Sequence, residues 1–155
     1  MTAPTERLAA LGLTLPPVPV PQAAYVPAVR TGQYVYTAGQ LPFVDGKLPA
    51  TGKVGGAVTS EEAYGYARIA GLNALAAAAS EAGGLDNIAR IVKITGFVAS
   101  EPDFTGQPGV INGASELMIA VFGEAGKHAR SAVGMAVLPL DTPVEVELIV
   151  EVAGA

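Results

Sequence analysis

This chain of 155 residues has no cysteine and one histidine, which excludes thiolate catalysis, disulfide staples, cysteine metal sites and His-rich metal cages. Chemistry is left to carboxylates, arginine, hydroxyls, backbone groups and water. Arg130 comes first, because it opens a strand-like segment directly after GEAGKHA. A rigid strand in that position can aim a guanidinium into a cleft beside a flexible loop, although by spacing alone a surface or ion-paired arginine is the commoner outcome. Glu145, Glu147 and Glu151 fall on one side of an alternating segment. They could form a strip of hard-cation ligands, but such alternation ordinarily marks the wet face of a strand. His128 could act as a general base, but as an isolated loop histidine it reads more simply as a solvated side chain. GKLPATGKV imitates a phosphate loop, yet five residues separate Gly46 from Gly52-Lys53 where four are required, and Val54 replaces the Ser or Thr that would hold magnesium.

The elements that must position these side chains can be read from pattern. Half the residues are hydrophobic, enough for one core and too few for two, so residues 1–155 are expected to form a single domain. Nine basic residues against fourteen acidic ones give a net charge of −5, which disfavours nucleic acid and anionic membrane as partners. The N-terminus lacks a basic region followed by an apolar run, and no later stretch approaches the roughly 20 apolar residues of a membrane helix. The expected location is the cytoplasm.

A short helix is expected over 5–12, then a proline-rich extended arm, LPPVPVPQ, lying on the domain. Tyr- and Val-rich runs at 24–30 and 33–38, separated by Thr31-Gly32, predict a β-hairpin, and 39–58 reads mostly as loop. Thr59-Ser60-Glu61-Glu62 is a capping box that starts a helix ending at Gly83-Gly84. A β segment over 88–98 precedes a second helix whose Val110, Ile111, Ala114, Leu117, Met118, Val121 and Phe122 share one face. Gly123 and Gly126 end it. Strands are expected over 131–138 and 144–152, with a turn at 139–143. In the last strand Val144, Val146, Leu148, Val150 and Val152 line a core face. The order ββαβαββ, with two helices able to cover only one side of a mixed sheet, indicates an α+β fold. The other sheet face must be solvated or buried by partner subunits.

Tyr25-Val26, Thr37-Ala38-Gly39-Gln40-Leu41-Pro42, Ala129-Arg130-Ser131-Ala132-Val133, Leu138-Pro139 and Val144-Glu145-Val146-Glu147 together resemble, in order and spacing, the signature of the Rid family (YjgF/UK114, "endoribonuclease L-PSP"). The resemblance covers residues 24–153 as the family core and leaves 1–23 as an N-terminal arm, like that of a longer subgroup. It implies a chorismate-mutase-like homotrimer with ligand clefts between neighbouring subunits.

Carried over residue by residue, the resemblance makes Arg130 the carboxylate anchor, through two charge-assisted hydrogen bonds, and Glu145 the acidic residue that directs a water. Tyr25, Gly39, Asn112 and Ala132 fall on the substrate-binding positions. The implied activity is hydrolysis of reactive 2-imino or enamino acids to 2-oxo acids and ammonia, with neither metal nor cofactor. The chain departs from the archetypes at Ala132, where they carry Cys, and at Gly126-Lys127-His128, where a Phe-Pro approach to the arginine is replaced. These departures favour, as an alternative, a non-catalytic module that binds a small carboxylate metabolite. A ribonuclease is disfavoured by the acidic charge.

Overall fold

The computed structural model describes residues 2–18, 20–21 and 23–154. Of the expected extended run at 15–22, Pro19 and Gln22 lie outside the described residues. Helix α1 (Pro4–Ala10) docks Leu8, 2% exposed, into the core, and Thr5 N–H donates to Asp86 Oδ1 at 2.8 Å. Strands β1 (Ala28–Thr31) and β2 (Tyr34–Thr37) form the hairpin. Its turn is Gly32-Gln33, one residue later than expected, with Gly32 at φ +60. The first strand begins only after Pro27, whose ring leaves no N–H for the ladder.

Helix α2 (Ser60–Ala82) begins at the capping box: Glu62 N–H donates to Thr59 Oγ1 at 3.1 Å, and Thr59 N–H to Glu62 Oε1 at 3.3 Å. It stops at Gly83 in the left-handed conformation. Its alanines have a structural reason, since α2 is packed on several sides at once. It touches the sheet and helix α3 (Gln107–Phe122), while Ile69 and Leu72 face the arm residues Pro16, Pro17 and Val18 across a shared cavity. Small side chains let all these layers approach.

Strands β3 (Ile88–Ala99), β4 (Ala129–Met135) and β5 (Val144–Val152) complete a five-stranded mixed sheet of order β1-β2-β5-β3-β4. β3 and β4 are parallel, joined by the α3 crossover, and the other pairs are antiparallel. β4 starts two residues before the expected 131 and stops three before 138. Its last partner, Ala99, is also the last residue of β3, so nothing remains for it to pair with. In β3 the buried residues Ile88, Ile91 and Ile94 are three apart rather than two. Register shifts at Ile88/Arg90 and Ile91/Lys93 insert one extra residue each, which restores all three to the core face.

β5 follows the expected alternation: Val144, Val146, Leu148, Val150 and Val152 are buried against the helices. The opposite sheet face is uncovered. On it Val29, Tyr34, Tyr36 and Val133 are 52, 42, 45 and 40% exposed, with Phe97 and Ile149 between them in register. No helix among the described residues is long and apolar enough to cross a membrane.

The α2–α3 contact closes over two glycines. A Cβ on Gly113 would lie 2.0 Å from the Tyr64 carbonyl oxygen, and one on Gly71 3.0 Å from the Ala114 Cβ. Gly113→Ala must therefore push backbone against backbone. It is expected to lower unfolding stability by about 1–3 kcal/mol, measured as a fall in urea midpoint at unchanged slope; an unshifted midpoint would mean the helices are not in such close contact.

Candidate functional site

β4 carries Arg130 opposite Ile94, which in turn lies opposite Leu148. Ile94 and Leu148 are core residues, so Arg130 leaves the sheet on the helix side, at the edge strand, and meets α3. Its Nη1 donates to Asn112 Oδ1 at 2.8 Å and to Ser115 Oγ at 3.2 Å, and its Nη2 donates to the Pro108 carbonyl at 3.3 Å. These bonds use both Nη1 hydrogens and one on Nη2. Among the described residues no acceptor meets Nε–H or the second Nη2–H. Nε–H and the outer Nη2–H lie along one edge of the planar guanidinium, a two-donor fork of the kind that matches a carboxylate. The structure thus brings Asn112 and Arg130 together.

The segment leading to Arg130 is ordered by packing, unlike the flexible loop expected. Residues Gly123–Gly126 form a 3₁₀ turn. A Cβ on buried Gly126 would lie 2.3 Å from the Met118 carbonyl oxygen, so only glycine permits this approach to α3. His128 is correspondingly not a solvated loop residue. Its Nε2 lies 2.9 Å from Ser115 Oγ and its Nδ1 2.6 Å from the Gly126 carbonyl oxygen. Ser115 and the Pro108 carbonyl were not among the residues expected at the site. The available signal was a polar side chain, Ser115, three residues after Asn112 and among the apolar residues of the core face of α3, where a buried hydroxyl needs a partner.

Tyr25, Gly39 and Glu145 assemble elsewhere. Beyond Tyr36↔Ile149 the β2 backbone leaves β5: Thr37 Oγ1 accepts from Leu148 N–H at 2.9 Å, and pairing resumes only at Gln40↔Val146. Ala38-Gly39 is displaced between these two anchors. The Glu145 side chain lies so close to Gly39 that a Cβ there would sit 1.8 Å from its Oε2, so glycine is required by close approach. Buried Asn73 of α2 holds the loop that follows, with Nδ2 donating to the Leu41 and Phe43 carbonyls at 2.9 and 3.0 Å. Tyr25, Gly39, Leu41, Phe43, Leu140 and Glu145 line a cavity of about 220 Å³. Leu140 reaches this wall from a backbone with φ +58, followed by Asp141 at φ +59, two consecutive left-handed non-glycine residues of the strained kind found at ligand sites.

Burial raises the pKa of Glu145 above the ordinary carboxylate range, and the neighbouring charge of Glu147 adds to the effect. Glu145 is on the open face, paired with Phe97, whereas Arg130 is on the helix face. The two residues expected to share the chemistry are therefore on opposite sides of the sheet within one chain. Ala132 lies opposite Gly96 and packs against the core cluster, so what it can offer a ligand is backbone at the sheet edge. Among the described residues, no three His, Asp or Glu side chains are grouped as a metal site requires.

Residues 5–152 match the family described as "YjgF/chorismate_mutase-like, putative endoribonuclease". Protein TCP17 of Trypanosoma cruzi is 42% identical over 146 residues, spanning 94% of this chain and 91% of that protein. A crystal structure from Shewanella oneidensis, which carries the same endoribonuclease label, superposes with a TM-score of 0.94 at 35% identity, over 97% of this chain and 100% of its own. Escherichia coli TdcF with bound serine superposes with a TM-score of 0.63 at 26% identity, over 88% of this chain and 93% of its own. A match over 97% cannot omit an arm of 23 residues, so the N-terminal segment is shared with the Shewanella protein. The matched family and the agreement in fold lead to one conclusion: the chain belongs to the YjgF/Rid family and has its chorismate-mutase-like α+β fold.

Proposed function

We propose that the protein hydrolyses reactive 2-imino and enamino acids to 2-oxo acids and ammonia in clefts between the subunits of a homotrimer. The observation that carries this reading is the guanidinium edge of Arg130: three hydrogen bonds to α3 hold the group still and leave a two-donor fork for a carboxylate. The bound serine of TdcF, a small carboxylate-bearing molecule, fits the same reading. Because Arg130 and Glu145 are on opposite faces of one sheet, a ligand that touches both needs two copies of the chain. The uncovered face with Tyr34, Tyr36, Phe97 and Ile149 supplies apolar surface for their association.

In such a cleft Arg130 anchors the carboxylate and backbone groups near Gly39 and Ala132 orient the C=N bond. Glu145 takes a proton from water as the water oxygen bonds to the imine carbon and the C=N electron pair moves to nitrogen. The proton then passes to that nitrogen, and Glu145 carries the carbinolamine's hydroxyl proton to the amine in the same way, so that ammonia leaves as C–O becomes C=O. A carboxylate raised toward neutrality is better matched to both transfers than an ordinary one. Ala132, in place of a side chain able to donate, favours one alternative, a module that binds small carboxylates without turnover. Ligand-dependent thermal shifts with 2-oxo acids but no imine decay would establish that alternative. The ribonuclease activity in the family label is disfavoured by the net charge of −5.

Three outcomes are expected. Coupled to an amino-acid oxidase or a threonine dehydratase, the protein accelerates imine decay, and Arg130→Ala lowers kcat/KM about a hundredfold, equivalent to about 2.7 kcal/mol of transition-state stabilisation. No acceleration over buffer with any amino acid sinks the proposal. The mass in solution is three times 15.6 kDa, Tyr36→Glu dissociates the assembly, and hybrids refolded from equal amounts of Arg130→Ala and Glu145→Gln regain roughly a quarter of the wild-type activity, because about one cleft in four receives both native residues. Full-length hybrids without any regained activity would place the two residues in one subunit's site. Finally, since the folded-state pKa of Glu145 is raised, the chain binds that proton more tightly folded than unfolded. The residue therefore opposes folding once pH rises through its folded pKa and not below the ordinary value of about 4.3. Glu145→Gln should be more stable than wild type at pH 7–8, and the gain should vanish near pH 4 in thermal unfolding.

A further inference from the structure

Arg130 is held by a chain of hydrogen bonds that continues past it. Ser115 is 8% exposed, and its hydroxyl has two neighbours outside its own helix: Arg130 Nη1 at 3.2 Å and His128 Nε2 at 2.9 Å. A guanidinium only donates, so Ser115 Oγ accepts from Arg130 and has its own proton free to donate to His128. Donation to His128 requires Nε2 to be unprotonated. The other ring nitrogen, Nδ1, faces the Gly126 carbonyl oxygen at 2.6 Å, an acceptor, and so carries the imidazole proton. For a neutral ring the directions are then Arg130 to Ser115, Ser115 to His128, and His128 to the Gly126 carbonyl.

Resting on the reading of Arg130 as carboxylate anchor, we propose that Ser115 and His128 are positioning residues for it: neutral His128 draws the Ser115 proton toward Nε2, which turns a Ser115 lone pair to Nη1 and fixes which guanidinium edge is left for the ligand. Without that acceptor, the hydroxyl of a helical serine turns back to the carbonyl four residues earlier, here Ile111, and its lone pairs turn with it. The guanidinium then keeps its bonds to Asn112 and Pro108 but loses the third point that sets its plane. Glycine at 126 belongs to the same device, since only a residue without Cβ fits this closely against α3 with its carbonyl at Nδ1. The charged and titratable groups around His128 are Arg130 on β4, Lys127 paired with Glu124 at 2.8 Å, and Arg90, Tyr34 and Glu151 around the adjoining hollow. None of them provides the ring with a bond that replaces either of these two.

The experiment uses the intact protein, in which His128 is the only histidine, so its ring nitrogens are unambiguous in ¹⁵N NMR. The expected spectrum is that of the Nδ1–H tautomer, with an Nε2 signal that moves in Ser115→Ala. His128→Ala and Ser115→Ala should each weaken binding of 2-oxobutanoate, and raise KM for imine hydrolysis, about five- to tenfold, the size of one lost hydrogen bond, with kcat within about twofold. His128→Asn, whose amide nitrogen takes the place of Nδ1 while its oxygen ends short of Nε2, should recover part of the loss in both values. A loss that followed melting temperature rather than separating KM from kcat would indicate a structural role only and overturn the proposal. So would an Nε2–H tautomer, or an Asn variant no better than the Ala variant. If the wild-type protein binds no 2-oxo acid, the carboxylate reading fails, whereas the tautomer and its response to Ser115→Ala still decide whether the relay exists.

Discussion

The site depends on the register of β4 against β3, in which Arg130 is opposite Ile94. Side chains alternate along a strand, so a slip of one residue would carry Arg130 and Ala132 to the open face and leave Ser131 pointing at α3. Helix α3 makes the slip costly from both ends. It is the crossover that joins the two parallel strands, a connection that parallel pairing requires, and it is also the surface to which Arg130 is bonded. Gly96 leaves room on β3 for Ile111, whose side-chain atoms a Cβ would meet at 2.4 Å, while Gly126 fits against Met118 and Ile119 just before β4 begins. One helix therefore sets where β4 starts, which face Arg130 takes and which of its donors are engaged.

Local signals revealed the elements well where they were strong. The Thr59 capping box, the Gly83 stop and the alternation from Val144 to Val152 each belong to one segment, and each is present as expected. Signals that depend on a second segment were hidden. Ile88, Ile91 and Ile94 follow neither a strand nor a helix period, because the two bulges in β3 exist only against β5. The part played by Ser115 was hidden because its partners, Arg130 and His128, are reached through a turn and a strand that follow the helix. GEAGKHA looked like a mobile loop because glycine marks both loops and close packing, and the packing surface of α3 is not visible in those seven residues. The resemblance supplied Arg130, Asn112, Tyr25, Gly39 and Glu145 as names, but order along the chain carries no information about sheet faces. The division into an Arg130 group and a Glu145 group could appear only once the register was known.

The two groups differ in how their local structure is stabilised. Around Arg130 each hydrogen bond joins groups that need one: an amide oxygen, a hydroxyl, an imidazole and two backbone carbonyls all have partners, and the guanidinium retains two outward donors. Around Glu145 the reverse holds. A carboxylate is partly desolvated beside Glu147, Gly39 is crowded by it, and Leu140 and Asp141 adopt left-handed backbone. These costs are offset by the anchors on either side, the Thr37–Leu148 and Gln40–Val146 bonds and the grip of Asn73 on the Leu41 and Phe43 carbonyls.

That asymmetry bears on how the two groups would function together. A satisfied, rigid anchor suits a role that does not change during a reaction, namely holding a carboxylate that stays charged throughout. A desolvated carboxylate with a raised pKa suits a group that must gain and lose a proton, and the energy to keep it desolvated comes from the surrounding fold. Placing the two on opposite faces of one sheet also keeps them apart in the isolated chain, where a direct Arg130–Glu145 ion pair would neutralise both: it would occupy the fork and pull the Glu145 pKa back down. On the proposed reading, assembly brings them to either side of a ligand without bringing them into contact, so the uncovered sheet face contributes to the chemistry by setting that separation.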